Sequence, residues 1–133
     1  MRISVITVVH NNVENIKDAI DSVHGQTYKN IEHIIIDGQS KDKTIEILKR
    51  NEEKIDYWFS KKDEGIYDAF NRGMFLARGD YIGFLNSDDK YADNAFEILE
   101  KYIKNYPHKD FIFGAVKKHW GILHGYNSLK ILW

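Results

Sequence analysis

The chain has 133 residues, 19 Lys+Arg against 20 Asp+Glu, and a formal net charge of −1. That length suits one hydrophobic core rather than two, and a hydrophobic share of 43% with 14% aromatics excludes a disordered chain. The near-neutral balance removes the bulk electrostatic case for nucleic acid. The absence of cysteine excludes a disulfide scaffold, a thiolate zinc site and a Cys nucleophile. No apolar run approaches the ~20 residues of a membrane span. The start leads straight into a strand-like run, so no signal peptide is expected and the compartment expected is the cytoplasm.

Taken in order, the chain alternates short β-rich runs with helical periodicity. ISVITVV, residues 3–9, is a continuous β-branched run, as in a strand buried on both faces. Asn12 is expected to cap a helix carrying Val13, Ile16, Ile20 and Val23 inward, with Gly25 as its stop. IEHIII, residues 31–36, is a second strand, and Ser40 is expected to cap a helix with Thr44, Ile45, Ile47 and Leu48 on its apolar face. A third strand fits at 57–59. The spacing then predicts a helix over 66–77 with Phe70, Gly73, Met74 and Ala77 on one side, and Gly79 just past its end. YIGFL, residues 81–85, is a fourth strand. A helix over 93–106 turns Phe96, Leu99, Tyr102 and Ile103 inward before the single proline, Pro107, and 111–113 is a fifth strand.

This alternation predicts an α/β fold: a mostly parallel sheet with right-handed crossovers and helices on both faces, in three layers. Ligands of such sheets bind beyond the carboxyl ends of the strands. Those ends read His10-Asn11-Asn12, Asp37-Gly38-Gln39-Ser40, Lys61-Lys62-Asp63-Glu64-Gly65 and Asn86-Ser87-Asp88-Asp89, so polar and acidic groups converge on one rim.

Asp88 and Asp89 are adjacent acids after a buried strand. At ~4 Å and an effective dielectric near 20 two such charges repel by about 4 kcal/mol. A divalent cation removes that repulsion, and oxygen ligands suit Mg²⁺ or Mn²⁺. Taken alone, the pair reads more readily as a polar turn with Asp capping a following turn of helix. Asp37 reads as an acceptor for a ribose hydroxyl or base N–H, or as an Asx-turn. The helix start after Gly65 offers free N–H groups to phosphate, with Arg72 as an added cation, or is simply a solvated helix with Gly73 packed closely. The six histidines show no zinc spacing. There is no P-loop and no G-x-G-x-x-G, which disfavours the familiar triphosphate and dinucleotide sites.

Together and in order, ISVITVVHNN, SVHGQTYKNIEHIIIDGQSKDKT and DEGIYDAFNRGMFLARGDYIGFLNSDD resemble family 2 glycosyltransferases of the GT-A fold, over residues 3–92. The resemblance implies a Rossmann-like GT-A sheet and a nucleotide-diphospho-sugar donor, commonly a UDP-sugar. The sugar would pass to a hydroxyl of a glycan or lipid-linked acceptor in bacterial-type polysaccharide biosynthesis. Carried over position by position, Thr7, Val8 and His10 would line the nucleoside site and Asp37 would hold uracil or ribose. Asp63, Gly65 and Asn71 would line the donor pocket, and Arg72, by its charge, would add to nucleotide-sugar binding. Asn86-Ser87-Asp88 occupies the family's D-x-D position, with Asp88 as ligand of Mn²⁺ or Mg²⁺ and Asp89 beside it. An Asn replaces the first acid of that motif.

Such enzymes usually continue past 133 residues into an acceptor-binding half that carries the general base of inverting members. Here the only carboxylate beyond Tyr106 is Asp110, so no base is found in that region. It would have to come from a partner chain, a missing C-terminal segment or an acid already named, with Asp68 or Glu64 as conceivable stand-ins. The expectation is therefore a single domain, 1–133, that is the donor-binding part of such an enzyme. The alternative is a non-catalytic nucleotide-sugar-binding module. Receiver and haloacid-dehalogenase readings fail, because His10-Asn11-Asn12 and Gln39 stand where those domains need acids. The apolar tail from Gly121 to Trp133 suggests a homodimer or contact with the inner face of a membrane.

Overall fold

The structure, a computed structural model, describes residues 1–118 and 121–123, with side chains described through residue 115. The chain divides into two compact units, Met1–Ile98 and Leu99–Trp133.

The first unit is built on four parallel strands. β1 (Ile3–Val9), β2 (Ile31–Asp37), β3 (Tyr57–Ser60) and β4 (Tyr81–Asn86) lie in the order β3-β2-β1-β4. The register levels their carboxyl ends: Val9 pairs with Asp37, Asp37 with Ser60, and Val8 with Asn86. From β1 the chain steps outward to β2 and β3, then returns to place β4 on the other side of β1. The strand order therefore reverses between β1 and β4, which opens a crevice at their carboxyl ends.

Every residue of β1 is buried, as its uninterrupted β-branched run predicts. One face carries Val9 and Ile35 against Ile16 and Ile20 of α1 (Ile16–His24) and Leu48 of α2 (Thr44–Arg50). The other carries Ile6, Val8, Ile34 and Ile36 against Ala69 of α3 (Ile66–Leu76). The result is three layers, each large aliphatic side chain contributing about 1.5–3 kcal/mol by leaving water. Gly73 sets the closest approach of α3, since a Cβ there would stand 2.3 Å from Ile6 Cγ2.

At the amino ends of the strands a buried carboxylate ties three segments. Glu32 accepts Ser4 Oγ–H at 2.6 Å and the Arg78 N–H at 2.9 Å, and pairs with Arg2 at 3.1 Å. Burial alone would push its carboxyl up, but those donors and the Arg2 and Arg78 charges outweigh it and hold it below the ordinary value.

The strand boundaries of the first unit follow the sequence closely; several helix ends do not. Helix α1 starts at Ile16 with Asn15 at the N-cap, and Asn12 lies a turn earlier with its side chain engaged elsewhere. Helix α2 starts at Thr44 with Lys43 at the N-cap, because the Ser40 hydroxyl is bonded back to Asp37. Gly79 is not a helix terminator: α3 ends at an extended Ala77, and a Cβ on Gly79 would meet the Ser4 amide nitrogen at 2.6 Å. Small size is needed there for backbone contact with β1. Met74 is turned outward, and Ala69 takes the inward position beside Gly73.

Helix α4 (Ala95–Asn105) begins in the first unit and ends in the second. In the second unit the Tyr102 and Tyr106 rings lie 4.7 Å apart. β5 (Val116–Lys118) and β6 (Gly121–Leu123) pair antiparallel. The strand expected at 111–113 is only an isolated bridge at Phe113, so regular pairing starts three residues later. Of the tail from Gly121 to Trp133, for which self-association or a membrane contact is expected, Gly121–Leu123 form β6 and residues 124–133 lie outside the described residues. Among the described residues no helix is long and apolar enough to cross a membrane.

Candidate functional site

The carboxyl rim of the first unit gathers three small clusters. The first is built on Asp37, which ends β2 with no exposed surface. Its Oδ1 accepts the Ser40 hydroxyl at 2.5 Å, and its Oδ2 accepts the Ser40 N–H at 2.9 Å and the Ser60 hydroxyl at 2.6 Å. A buried carboxylate is costly unless its lone pairs are filled. Here the donors come from the following loop and from the end of β3, so the acid fixes both to β2.

The second cluster lies over Gly38. His10 Nδ1 is 2.9 Å from the Gly38 carbonyl oxygen, which can only accept, so Nδ1 carries the proton. His10 Nε2 then accepts from Asn11 Nδ2 at 3.2 Å. A Cβ on Gly38 would stand 2.6 Å from Asp63 Oδ2 and 3.3 Å from His10 Nδ1, so the glycine lets both side chains close over the backbone. Neighbouring backbone is strained in the left-handed region at Asn11 (φ 48°) and Gln39 (φ 62°), a feature common at functional rims. Asn11 Oδ1 accepts the Lys41 N–H at 2.7 Å, and its own N–H donates to Ser40 Oγ at 2.8 Å.

The third cluster spans the β1/β4 crevice. Asn12 Nδ2 donates to Ser87 Oγ at 2.8 Å. Ser87 is buried, whereas Asp88 and Asp89 beside it are exposed. The turn is closed by the Asp89 N–H donating to the Asn86 carbonyl at 3.0 Å. Asn86 Oδ1 is buried with no hydrogen-bonding partner among the described residues.

A divalent cation is tested by this donor set. Among the described residues no three His, Cys, Asp or Glu side chains converge as a metal cage. Mg²⁺-like ions bound together with phosphates need only one or two carboxylates. Two exposed carboxylates with an orphaned amide oxygen at the base of the same turn fit that kind of site.

Other expected site residues are placed differently. Thr7 is fully buried, its Oγ1 2.9 Å from His33 Nε2, and Val8 lies in the core under α3. Gly65 opens α3 at φ 111°, ψ 179°, a conformation open essentially to glycine alone. Asp68 accepts the Glu64 N–H at 3.0 Å and pairs with Arg72 at 2.7 Å, while Arg72 also donates to the Lys62 carbonyl at 3.0 Å. Asn71 and Arg72 line a groove of about 470 Å³ with Tyr57, Phe59, Phe75 and Leu76. The side-chain bridges from Asn12 to Ser87 and from Ser60 to Asp37 escape sequence reasoning, since their partners are 75 and 23 residues apart.

The model of glycosyl transferase family 2 matches residues 4–131. The chain belongs to that family. An uncharacterized glycosyltransferase of Mycobacterium tuberculosis is 41% identical over 91 residues, covering 68% of this chain and 35% of the relative. One from Rickettsia typhi is 37% identical over 110 residues, covering 83% and 34%. This family 2 chain thus spans about a third of the length of these curated relatives. Among solved structures, S. aureus TarS 1–349 in complex with UDP-GlcNAc superposes with a TM-score of 0.81 at 20% identity, over 96% of this chain and 37% of that one. The mannosyltransferase PcManGT from Pyrobaculum calidifontis, in complex with GDP-Man and Mn²⁺, gives 0.73 at 21% identity, over 88% and 36%. At such identities the likeness shows the fold, which is GT-A.

Proposed function

We propose that this family 2 chain is the donor-binding part of a glycosyltransferase that takes a nucleotide-diphospho-sugar, with UDP as the nucleotide. The observation that carries the reading is the exposed Asp88–Asp89 pair at the switch point between β1 and β4, levelled with the Asp37 cluster by the parallel register. The nucleoside lies over the ends of β1 and β2, where His10 and Asp63 flank Gly38. Asp37 supports that wall from beneath through Ser40 and Ser60. Asp88, with Asp89 and Asn86 beside it, would hold Mg²⁺ or Mn²⁺ against the diphosphate. The cation supplies charge neutralisation of the leaving diphosphate.

The acceptor is a hydroxyl of a glycan or lipid-linked sugar, and transfer is inverting. A base must take the proton of that hydroxyl. Asp68 does not suit the task, because its Oδ2 is held by the Glu64 N–H and by Arg72 at the start of α3. Glu64 is the exposed acid left beside it. Calorimetric titration with UDP, GDP and their sugars, with and without Mn²⁺, tests the reading. Binding of one nucleotide diphosphate strengthened by the cation supports it, and no binding of any of them refutes it.

A further inference from the structure

Asn12 stands between β1 and α1 with each of its polar groups engaged. Its backbone N–H donates to the hydroxyl of fully buried Thr44 at 3.0 Å, and its carbonyl accepts the Ile16 N–H at 3.2 Å. Its Oδ1 accepts Asn15 Nδ2 at 2.9 Å. The remaining donor, Nδ2, crosses the crevice to Ser87 Oγ at 2.8 Å. Both backbone and side chain of Asn12 are therefore immobilised from the β1/α1/α2 side, and the one group that points the other way grips the β4 turn. Ser87 is the buried residue of that turn; the two acids that follow it are exposed.

From this geometry we infer that Asn12 is a positioning residue for the acid pair. Its amide sets the depth of Ser87 and so fixes where the Asp88 and Asp89 carboxylates stand relative to the end of β1. The inference rests on the proposed reading of that pair as the place where a cation meets a nucleoside diphosphate. Two adjacent like charges repel, and a turn free to shift would splay them apart. A tether at the preceding residue removes that freedom before the ligand arrives, so less ordering remains to be done on binding. Asn12 itself touches neither the cation nor the nucleotide in this scheme. An aliphatic or charged side chain cannot replace it: the position needs a neutral donor reaching Ser87 and an acceptor reaching Asn15.

The test is a double-mutant cycle read by calorimetry on the full chain, with UDP in the presence and absence of Mn²⁺ and with uridine as the phosphate-free probe. Asn12→Ala and Ser87→Ala should each weaken Mn²⁺-supported UDP binding about tenfold, the scale of one lost hydrogen bond between neutral groups. The double variant should be no weaker than either single, because both remove the same bond. Uridine affinity should stay within about twofold, which also reports that the nucleoside wall is folded. Losses that multiply to about a hundredfold in the double variant, uridine affinity falling in step, or an unchanged Asn12→Ala would each overturn the inference while leaving the donor-binding reading in place. Should Asn12→Ala not fold, Ser87→Ala alone must still separate UDP from uridine, and equal losses for both overturn the inference. If the unsubstituted chain binds UDP equally with and without Mn²⁺, the cation reading itself fails, and the inference falls with it.

Discussion

Thr7 Oγ1 lies 2.9 Å from His33 Nε2, joining the two central strands inside the sheet with both side chains buried. Burial, aided by the charge of His24, pushes the His33 imidazole down to about 3 from its ordinary 6.5. His33 Nδ1 has no hydrogen-bonding partner among the described residues. The ring is therefore held neutral, with one nitrogen satisfied.

A pH dependence follows from that depressed value. Below pH 6.5 the unfolded chain protonates His33 and the folded chain does not, so stability present above 6.5 is lost as pH falls toward 3. The slope from this group is at most about 1.4 kcal/mol per pH unit. Urea melts of the natural chain and of His33→Leu at pH 7 and pH 5 check it. The variant should lose less stability between the two, and parallel losses would assign the acid sensitivity to other groups.

Glu32 has the opposite chemistry with the same sign of pH effect. Its carboxyl is held low by Ser4, Arg78 and Arg2 against the opposing effect of burial, so its contribution is present above the ordinary carboxylate range and lost as pH falls through the folded value. Glu32→Ala leaves Ser4 and the Arg78 N–H without their acceptor. The expected cost is about 1–3 kcal/mol, the scale for leaving buried donors without their acceptor, since the Arg2 side chain is itself partly exposed. A thermal melt reads it, and a shift of less than a degree or two would reduce the cluster to a surface ion pair.

Gly73→Ala should destabilise although alanine is the better helix former. The propensity gain is about 1 kcal/mol, but the new methyl would stand 2.3 Å from Ile6 Cγ2 on a buried, β-branched side chain that has little room to rotate. Overpacking of this kind costs about 1–3 kcal/mol. A raised urea midpoint would show that α3 can move off β1.

Asp37→Ala removes an acceptor from the Ser40 hydroxyl, the Ser40 N–H and the Ser60 hydroxyl at once. We expect a stability loss of about 1–3 kcal/mol or more, together with weaker binding of UDP and uridine alike, since the wall over Gly38 rests on that loop. Loss for UDP with uridine unaffected would move the wall that Asp37 supports to the phosphate side.

Asp88→Asn should abolish the metal-dependent part of UDP affinity and leave the melting temperature unchanged, because the side chain is exposed. Titrations with and without EDTA check it. Indifference to both the chelator and the substitution would remove Asp88 from the cation site.

The strands of the parallel sheet, the helices that cover it and the acidic rim were legible in the chain itself. A run such as ISVITVV can satisfy only a strand covered on both faces, and the spacing of Ile16, Ile20 and Val23 suits one helical stripe. Local periodicity is a near-neighbour property, so it survives without tertiary information. The helix ends were less readable, since Asn12 and Ser40 are good caps by type yet spend their side chains on Ser87 and Asp37. Which of several competing hydrogen bonds a short polar side chain makes depends on what the fold brings within 3 Å. The same reason separates Asp37, buried and fully bonded, from Asp88, exposed, though both are acids following an apolar strand. Burial of a strand end is decided by the neighbouring strands: Asp37 lies between the ends of β1 and β3, whereas the β4 turn lies at the edge of the sheet order, with a strand on one side only among the described residues.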